Sequence, residues 1–141
     1  MKYFCIEPEV AGGLGKTTVM DSAVHPPVVS KLHYHFDGWL GDVLLESFPS
    51  FIVTEGAKQQ LQAIGATGVR FDDVEVTTSD QFRQLYPNRQ LPKFVWLRVE
   101  GQPGRDDFGV GPDGRLVASE RALEMFQKIG VANSLVTPFK N

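Results

Sequence analysis

Cysteine occurs once in the 141 residues. No internal disulfide is then possible, which fits a reducing compartment. Long apolar runs are missing as well, the longest covering a few residues against the ~20 that a membrane-spanning helix needs. The opening Met1-Lys2-Tyr3-Phe4-Cys5-Ile6 runs into Glu7-Pro8 rather than into the apolar stretch of a signal peptide. The expectation is a cytoplasmic protein with no membrane partner. A basic excess is also lacking: 14 Lys and Arg stand against 17 Asp and Glu, a net charge of −3. Such a balance argues against a general nucleic-acid binder, since neutralising phosphates needs a basic surface. There is no low-complexity segment and no linker long enough to divide the chain.

What is present is material for a core. Hydrophobic residues make up 42% of the chain, with ten Phe, enough for residues 1–141 to form one domain without staples. Two stretches carry the same local pattern. In Leu116-Val117-Ala118-Ser119-Glu120-Arg121-Ala122 a short strand runs into a helix that continues to Ile129, with Ser119 as N-cap and Glu120 at the positive end of the helix dipole. Ala122, Met125, Phe126 and Ile129 share one face, and Gly130 closes the helix. Phe51-Ile52-Val53-Thr54-Glu55-Gly56-Ala57 repeats this without a gap: Thr54 matches Ser119, Glu55 matches Glu120, and Ala57, Leu61, Ile64 and Gly65 match Ala122, Phe126, Ile129 and Gly130. Two copies are too few for a solenoid, so two strand-helix units sharing one core are expected.

The remaining pattern predicts strands over Tyr3–Ile6, Lys31–Phe36, Phe94–Val99 and Ser134–Phe139, and a surface loop from Ala11 to Pro27. Leu40 to Phe48 is open between helical turn and strand. Val69 to Val76 reads as a strand interrupted by a bulge or turn at Asp72-Asp73. Ser79 caps a short helix through Tyr86, and Gly111-Pro112-Asp113-Gly114 turns a hairpin between Asp107–Val110 and Leu116–Ala118. Together these predict an α+β fold, a mixed or mostly antiparallel sheet with two main helices on one side, each entered from a strand.

Several constellations invite chemistry. Gly12-Gly13-Leu14-Gly15-Lys16-Thr17-Thr18 resembles a phosphate-binding loop, yet Val10 stands where the motif needs glycine and no helix follows, so a flexible loop without nucleotide is expected. His33, His35 and Asp37 share a strand face and form a set that metals accept, or an acid-base set. No known metal spacing, nucleophile or oxyanion signature accompanies them, and the plain reading is the solvated side of a strand. The pairs Asp72-Asp73 and Asp106-Asp107 read as solvated turn residues, because neighbours on a strand point to opposite faces. No catalytic residue, metal or cofactor is assigned. Between Asp37 and Glu75 seven acids face two bases, and Trp39 lies in the glycine-flanked segment Asp37-Gly38-Trp39-Leu40-Gly41-Asp42. The candidate partner-binding residues are therefore Asp37, Trp39, Asp42, Glu46, Asp72 and Asp73.

The strings Phe51-Ile52-Val53-Thr54-Glu55, Gly68-Val69-Arg70-Phe71, Asp106-Asp107-Phe108-Gly109 and Leu116 to Leu123 resemble bacterial immunity proteins of polymorphic toxin systems, in the family typified by a myxobacterial immunity protein. The likeness runs from about Phe51 onward and rests on structural motifs. It implies a non-enzymatic binding protein whose partner is a cognate toxin, and the acid excess between Asp37 and Glu75 suits a basic one. The alternatives are a small enzyme or metal- or ligand-binding domain using His33, His35 and Asp37, and a structural adaptor.

Overall fold

Apolar alternation and three hydroxyl caps account for most of the regular structure. The computed structural model describes residues 2–140. Along the chain run β1 (Tyr3–Glu7), β2 (Gly12–Leu14), β3 (Val19–Asp21), β4 (Val28–Lys31), β5 (His33–Phe36), β6 (Leu44–Ser47) and β7 (Ser50–Thr54). Then come α1 (Glu55–Ala63), β8 (Val69–Asp72), β9 (Glu75–Thr78), α2 (Asp80–Leu85) and β10 (Phe94–Val99). The chain continues through β11 (Phe108–Val110), β12 (Leu116–Ser119), α3 (Glu120–Ile129) and β13 (Leu135–Pro138). Thr54 Oγ1, Ser79 Oγ and Ser119 Oγ each accept from the backbone N–H three residues on, of Ala57, Phe82 and Ala122, satisfying a donor that the helix itself leaves free.

The strands form antiparallel sheets in the orders β11-β12-β1-β13 and β6-β7-β10-β8, a mixed sheet β2-β5-β9 in which β5 and β9 run parallel, and a ribbon β3-β4. The architecture is a single α+β domain with mostly antiparallel pairing, as the pattern predicts. The sheet β6-β7-β10-β8 is a partition with both faces covered. Leu44, Phe51, Val53, Val95 and Leu97 point into one core, and Leu45, Ile52, Phe94 and Trp96 point into another. The register agrees, with Leu44 opposite Val53 and Leu45 opposite Ile52. Period-2 alternation of apolar with apolar residues thus divides the molecule.

The first core holds both strand-helix units. Ala57 and Leu61 of α1 meet Ala122, Leu123, Met125 and Phe126 of α3 there, together with Ile6, Phe108 and Leu116. Ile129, expected on the buried face, is 37% exposed, whereas Leu123 is buried. The two echoing strands lie in different sheets, β7 in the partition and β12 beside β1. Asp107, expected in a solvated turn, is only 7% exposed and ties the units together. It accepts from Arg121 Nε (2.9 Å) and Nη2 (2.6 Å), Ser119 Oγ (2.6 Å) and Thr67 N (2.9 Å), while Arg121 Nη1 donates to the Ile64 carbonyl at the end of α1 (2.7 Å). Arg121 in particular holds the Asp107 carboxyl well below the usual carboxylate range.

Three expectations are corrected. The segment from Ala11 to Pro27 contains β2 and β3 rather than a continuous loop. The predicted strand Lys31–Phe36 breaks at Leu32, whose side chain is buried in the second core, and its halves join different sheets. The interruption expected at Asp72-Asp73 is present, but it is a change of sheet and not a bulge: β8 ends in the partition and β9 begins in the mixed sheet, with Asp73 N donating to Asp72 Oδ1 (2.8 Å) at the crossing.

Candidate interaction surface

Glu9 organises the segment in which Trp39 lies. Its carboxylate is buried and accepts from Leu40 N (2.7 Å) and Asp42 N (3.2 Å), so it grips the backbone on both sides of Gly41. Burial pushes the Glu9 carboxyl above its ordinary value, and those two N–H groups oppose the shift. The Ala11 carbonyl accepts from Asp37 N (2.9 Å) and Gly38 N (3.1 Å), while the Trp39 indole N–H donates to the Asp42 carbonyl (2.9 Å). Beneath them Tyr34 Oη accepts from Ala11 N (2.9 Å) and donates to the Glu46 carbonyl (3.0 Å). Burial raises the Tyr34 phenol to about 12.

The two anchored segments enclose an open cleft of about 520 Å³ lined by Glu9, Val10, Asp37, Trp39, Leu40 and Tyr86. Val10 (66%) and Leu40 (67%) are exposed at its rim. Trp39 is half-buried, edge-on to Phe94 at 5.9 Å between centroids, and the Arg89 guanidinium lies over its ring at 4.6 Å. The arrangement presents an aromatic and aliphatic contact surface with one exposed carboxylate, Asp37, and a backbone already fixed.

The six residues predicted as partner contacts do not form one surface. Asp37 and Trp39 meet at the cleft. Asp42, by contrast, is 2% exposed and accepts from Asn133 N (2.9 Å) and Nδ2 (2.8 Å), so it serves as an internal bond and not as a surface charge. Glu46 is half-buried, its carboxyl pushed up by burial and by Glu7. Asp72 and Asp73 lie elsewhere. Because β9 runs parallel to β5, Asp73 precedes the end at which His33 pairs with Glu75, while Asp37 follows the end at which Phe36 pairs with Thr78. The length of β5, roughly 10 Å of extended chain, separates them. Asp72 pairs with Arg98 (3.1 Å) and is held low first by the Asp73 N–H.

His33 and His35 do converge, but on a threonine. His33 Nε2 and His35 Nδ1 each lie 2.6 Å from Thr77 Oγ1, and Thr17 N donates to His33 Nδ1 (3.4 Å). With Nδ1 of His33 accepting, its Nε2 carries the proton and donates to Thr77, whose hydroxyl donates onward to His35. His33 is 4% exposed, so the solvated reading fails for it: the mixed sheet places the ring between β2 and β9. Asp37 stands outside this chain of bonds, and among the described residues no group of three or more His, Cys, Asp and Glu is placed to hold a metal.

Gly12 and Gly15 have a packing reason, whereas Gly13 faces open space. A Cβ on Gly12 would fall 1.9 Å from the His35 carbonyl oxygen, and one on Gly15 would fall 2.0 Å from the His33 ring. They permit close approach of β2 to β5, and Gly15 N donates to the His33 carbonyl (2.7 Å). Sequence reasoning missed Glu9, Val10, Tyr86 and Arg89, which carry no periodic signal and meet only in the fold. In comparisons with known proteins, no family model matches the chain and no curated protein matches it.

Proposed function

We propose that this chain is an immunity protein that binds a cognate bacterial toxin in the cytoplasm and neutralises it by occluding its active surface. The cleft carries the reading: Trp39, Leu40, Val10 and Tyr86 stand together beside an acid, on a backbone pinned by Glu9 and Tyr34. A half-buried aromatic on a fixed backbone can become the desolvated centre of an interface with little ordering penalty. The likeness of Phe51 onward to immunity proteins supplies the partner class. A basic toxin suits the net charge of −3 and the exposed Asp37.

Co-expression with the product of the neighbouring gene tests the reading: the chain restores growth, and purified wild type binds that product. Trp39→Ala should weaken binding by about 2 kcal/mol or more, acting mainly on dissociation. Asp37→Asn should lower the association rate at low salt. Equal binding of both variants places the contact elsewhere, and a wild type that neither binds nor rescues removes the immunity reading.

A further inference from the structure

Arg89 occupies an unusual position for an exposed side chain. It follows α2 on a turn in which its N–H donates to the Tyr86 carbonyl (3.2 Å), and its guanidinium lies 4.6 Å from the Trp39 ring centroid and 5.5 Å from that of Tyr86. Two aromatic faces thus hold one cation at the mouth of the cleft, with the Glu9 carboxylate near enough to feel its charge and Asp37 on the rim. Among the described residues, its side-chain N–H groups form no hydrogen bond and no ion pair. A planar guanidinium stacks on such faces better than an ammonium does, and the contact is worth little while the cation stays hydrated. Arg89 is therefore seated by stacking and the field of Glu9, without a hydrogen bond, on an exposed turn, and is exchangeable.

Resting on the reading of the cleft as a docking surface, we propose that the Trp39–Tyr86 pair is the seat for an arginine side chain of the partner, and that Arg89 holds this seat until the partner arrives. An incoming arginine takes over both ring faces, and its N–H groups reach the exposed Asp37 carboxylate, which gives Arg89 no bond. The partner surface this fits is basic, with an arginine projecting from it. Arg89 then acts as a competitor in the same chain, setting how strongly a single arginine binds and disfavouring partners that offer only apolar contacts.

The test follows the Trp39 indole N–H resonance, assigned by its loss in Trp39→Phe, during titration with acetyl-Gly-Arg-Gly-amide and its Lys and Ala counterparts. In Arg89→Ala the arginine peptide should shift the resonance saturably at millimolar concentration, with half-saturation about two- to fivefold below that of wild type. The lysine peptide should bind more weakly, the alanine peptide should leave the resonance in place, and Asp37→Asn should raise half-saturation for arginine. A folded Arg89→Ala protein showing no saturable shift, or one with the half-saturation of wild type, overturns the proposal. Loss of the arginine response with toxin binding intact sinks the seat alone; an arginine response without toxin binding sinks the immunity reading and leaves the seat.

Discussion

On one face of the partition, two capped helices and an antiparallel sheet close over a mostly aliphatic core with one ring pair, Phe108 and Phe126, 5.9 Å apart between centroids. On the other, rings do the packing: Tyr34 and Phe36 lie 4.7 Å apart between centroids, Phe36 and Phe94 5.3 Å, and a single short helix contributes Phe82. The first core needs few polar groups inside it, because its helices and strands satisfy their own backbone. The second borders irregular chain at residues 8–11 and 37–43, whose free N–H and C=O groups must be met by side chains, and Glu9 and Tyr34 meet several of them. The contrast explains why the cleft belongs to the second region. Backbone held at separate points by the Ala11 carbonyl and the Glu9 carboxylate, and not paired along its length, leaves the Trp39 and Leu40 side chains available for contact.

The contrast predicts the largest losses where regular elements meet. Phe126→Ala should cost about 3 to 5 kcal/mol and Leu61→Ala about 2 to 5 kcal/mol in denaturant unfolding, both side chains being fully buried in the first core. A loss below about 0.5 kcal/mol, the range of surface substitutions, would show that the shared face is not what joins the units.

Next comes the link between the units. Asp107→Asn should cost about 2 to 3 kcal/mol, the measure of one carboxylate bonded to a guanidinium that is half exposed. Since the folded state holds the Asp107 carboxyl below its ordinary value, the native protein binds fewer protons there than the unfolded chain. Its contribution is complete above the normal carboxylate range and is lost as pH falls through and below it. The acid limb of a stability-pH curve should therefore flatten in the variant. An unchanged limb would remove Asp107 from the account.

In the second region a single hydroxyl should matter. Tyr34→Phe leaves the ring in place but strands the Ala11 amide and the Glu46 carbonyl, for a loss of about 1 to 3 kcal/mol and faster hydrogen exchange at Ala11. If exchange at Ala11 does not change, the cleft is held by packing and not by that bond. Smallest of all is the effect in the glycine-rich segment after β2. Lys16 is exposed, so Lys16→Ala should change stability by less than about 0.5 kcal/mol. ATP or GTP with magnesium should leave Tm unchanged, and a saturable rise lost in Lys16→Ala would restore the phosphate-binding reading.

Whatever is decided within a few residues was legible in the chain. The caps at Thr54, Ser79 and Ser119 reach only three residues ahead. The Gly111–Gly114 turn closes with Gly111 N donating to the Arg115 carbonyl (2.9 Å), and Gly114 takes the positive φ of 83° that the turn demands. Trp96 points opposite Val95 and Leu97, as alternation requires, although alternation cannot say that a second core awaits it. The half of the site that was legible, Trp39 with Asp37, was found from composition around glycines.

The tertiary structure decided which sheet each strand joins, and with it the fate of every polar residue. The seven residues from Val69 to Glu75 pass from one sheet to another because β8 pairs with β10 and β9 with β5, choices made by packing across the partition. Asp42 became an internal bond through Asn133, 91 residues away, and the two histidines met Thr77 more than 40 residues on. Periodicity and capping are written in neighbouring residues, because helix and strand satisfy their hydrogen bonds and faces locally. Burial of a charge or closure of a cleft depends on chain brought from afar, and its cause lies in the packed whole.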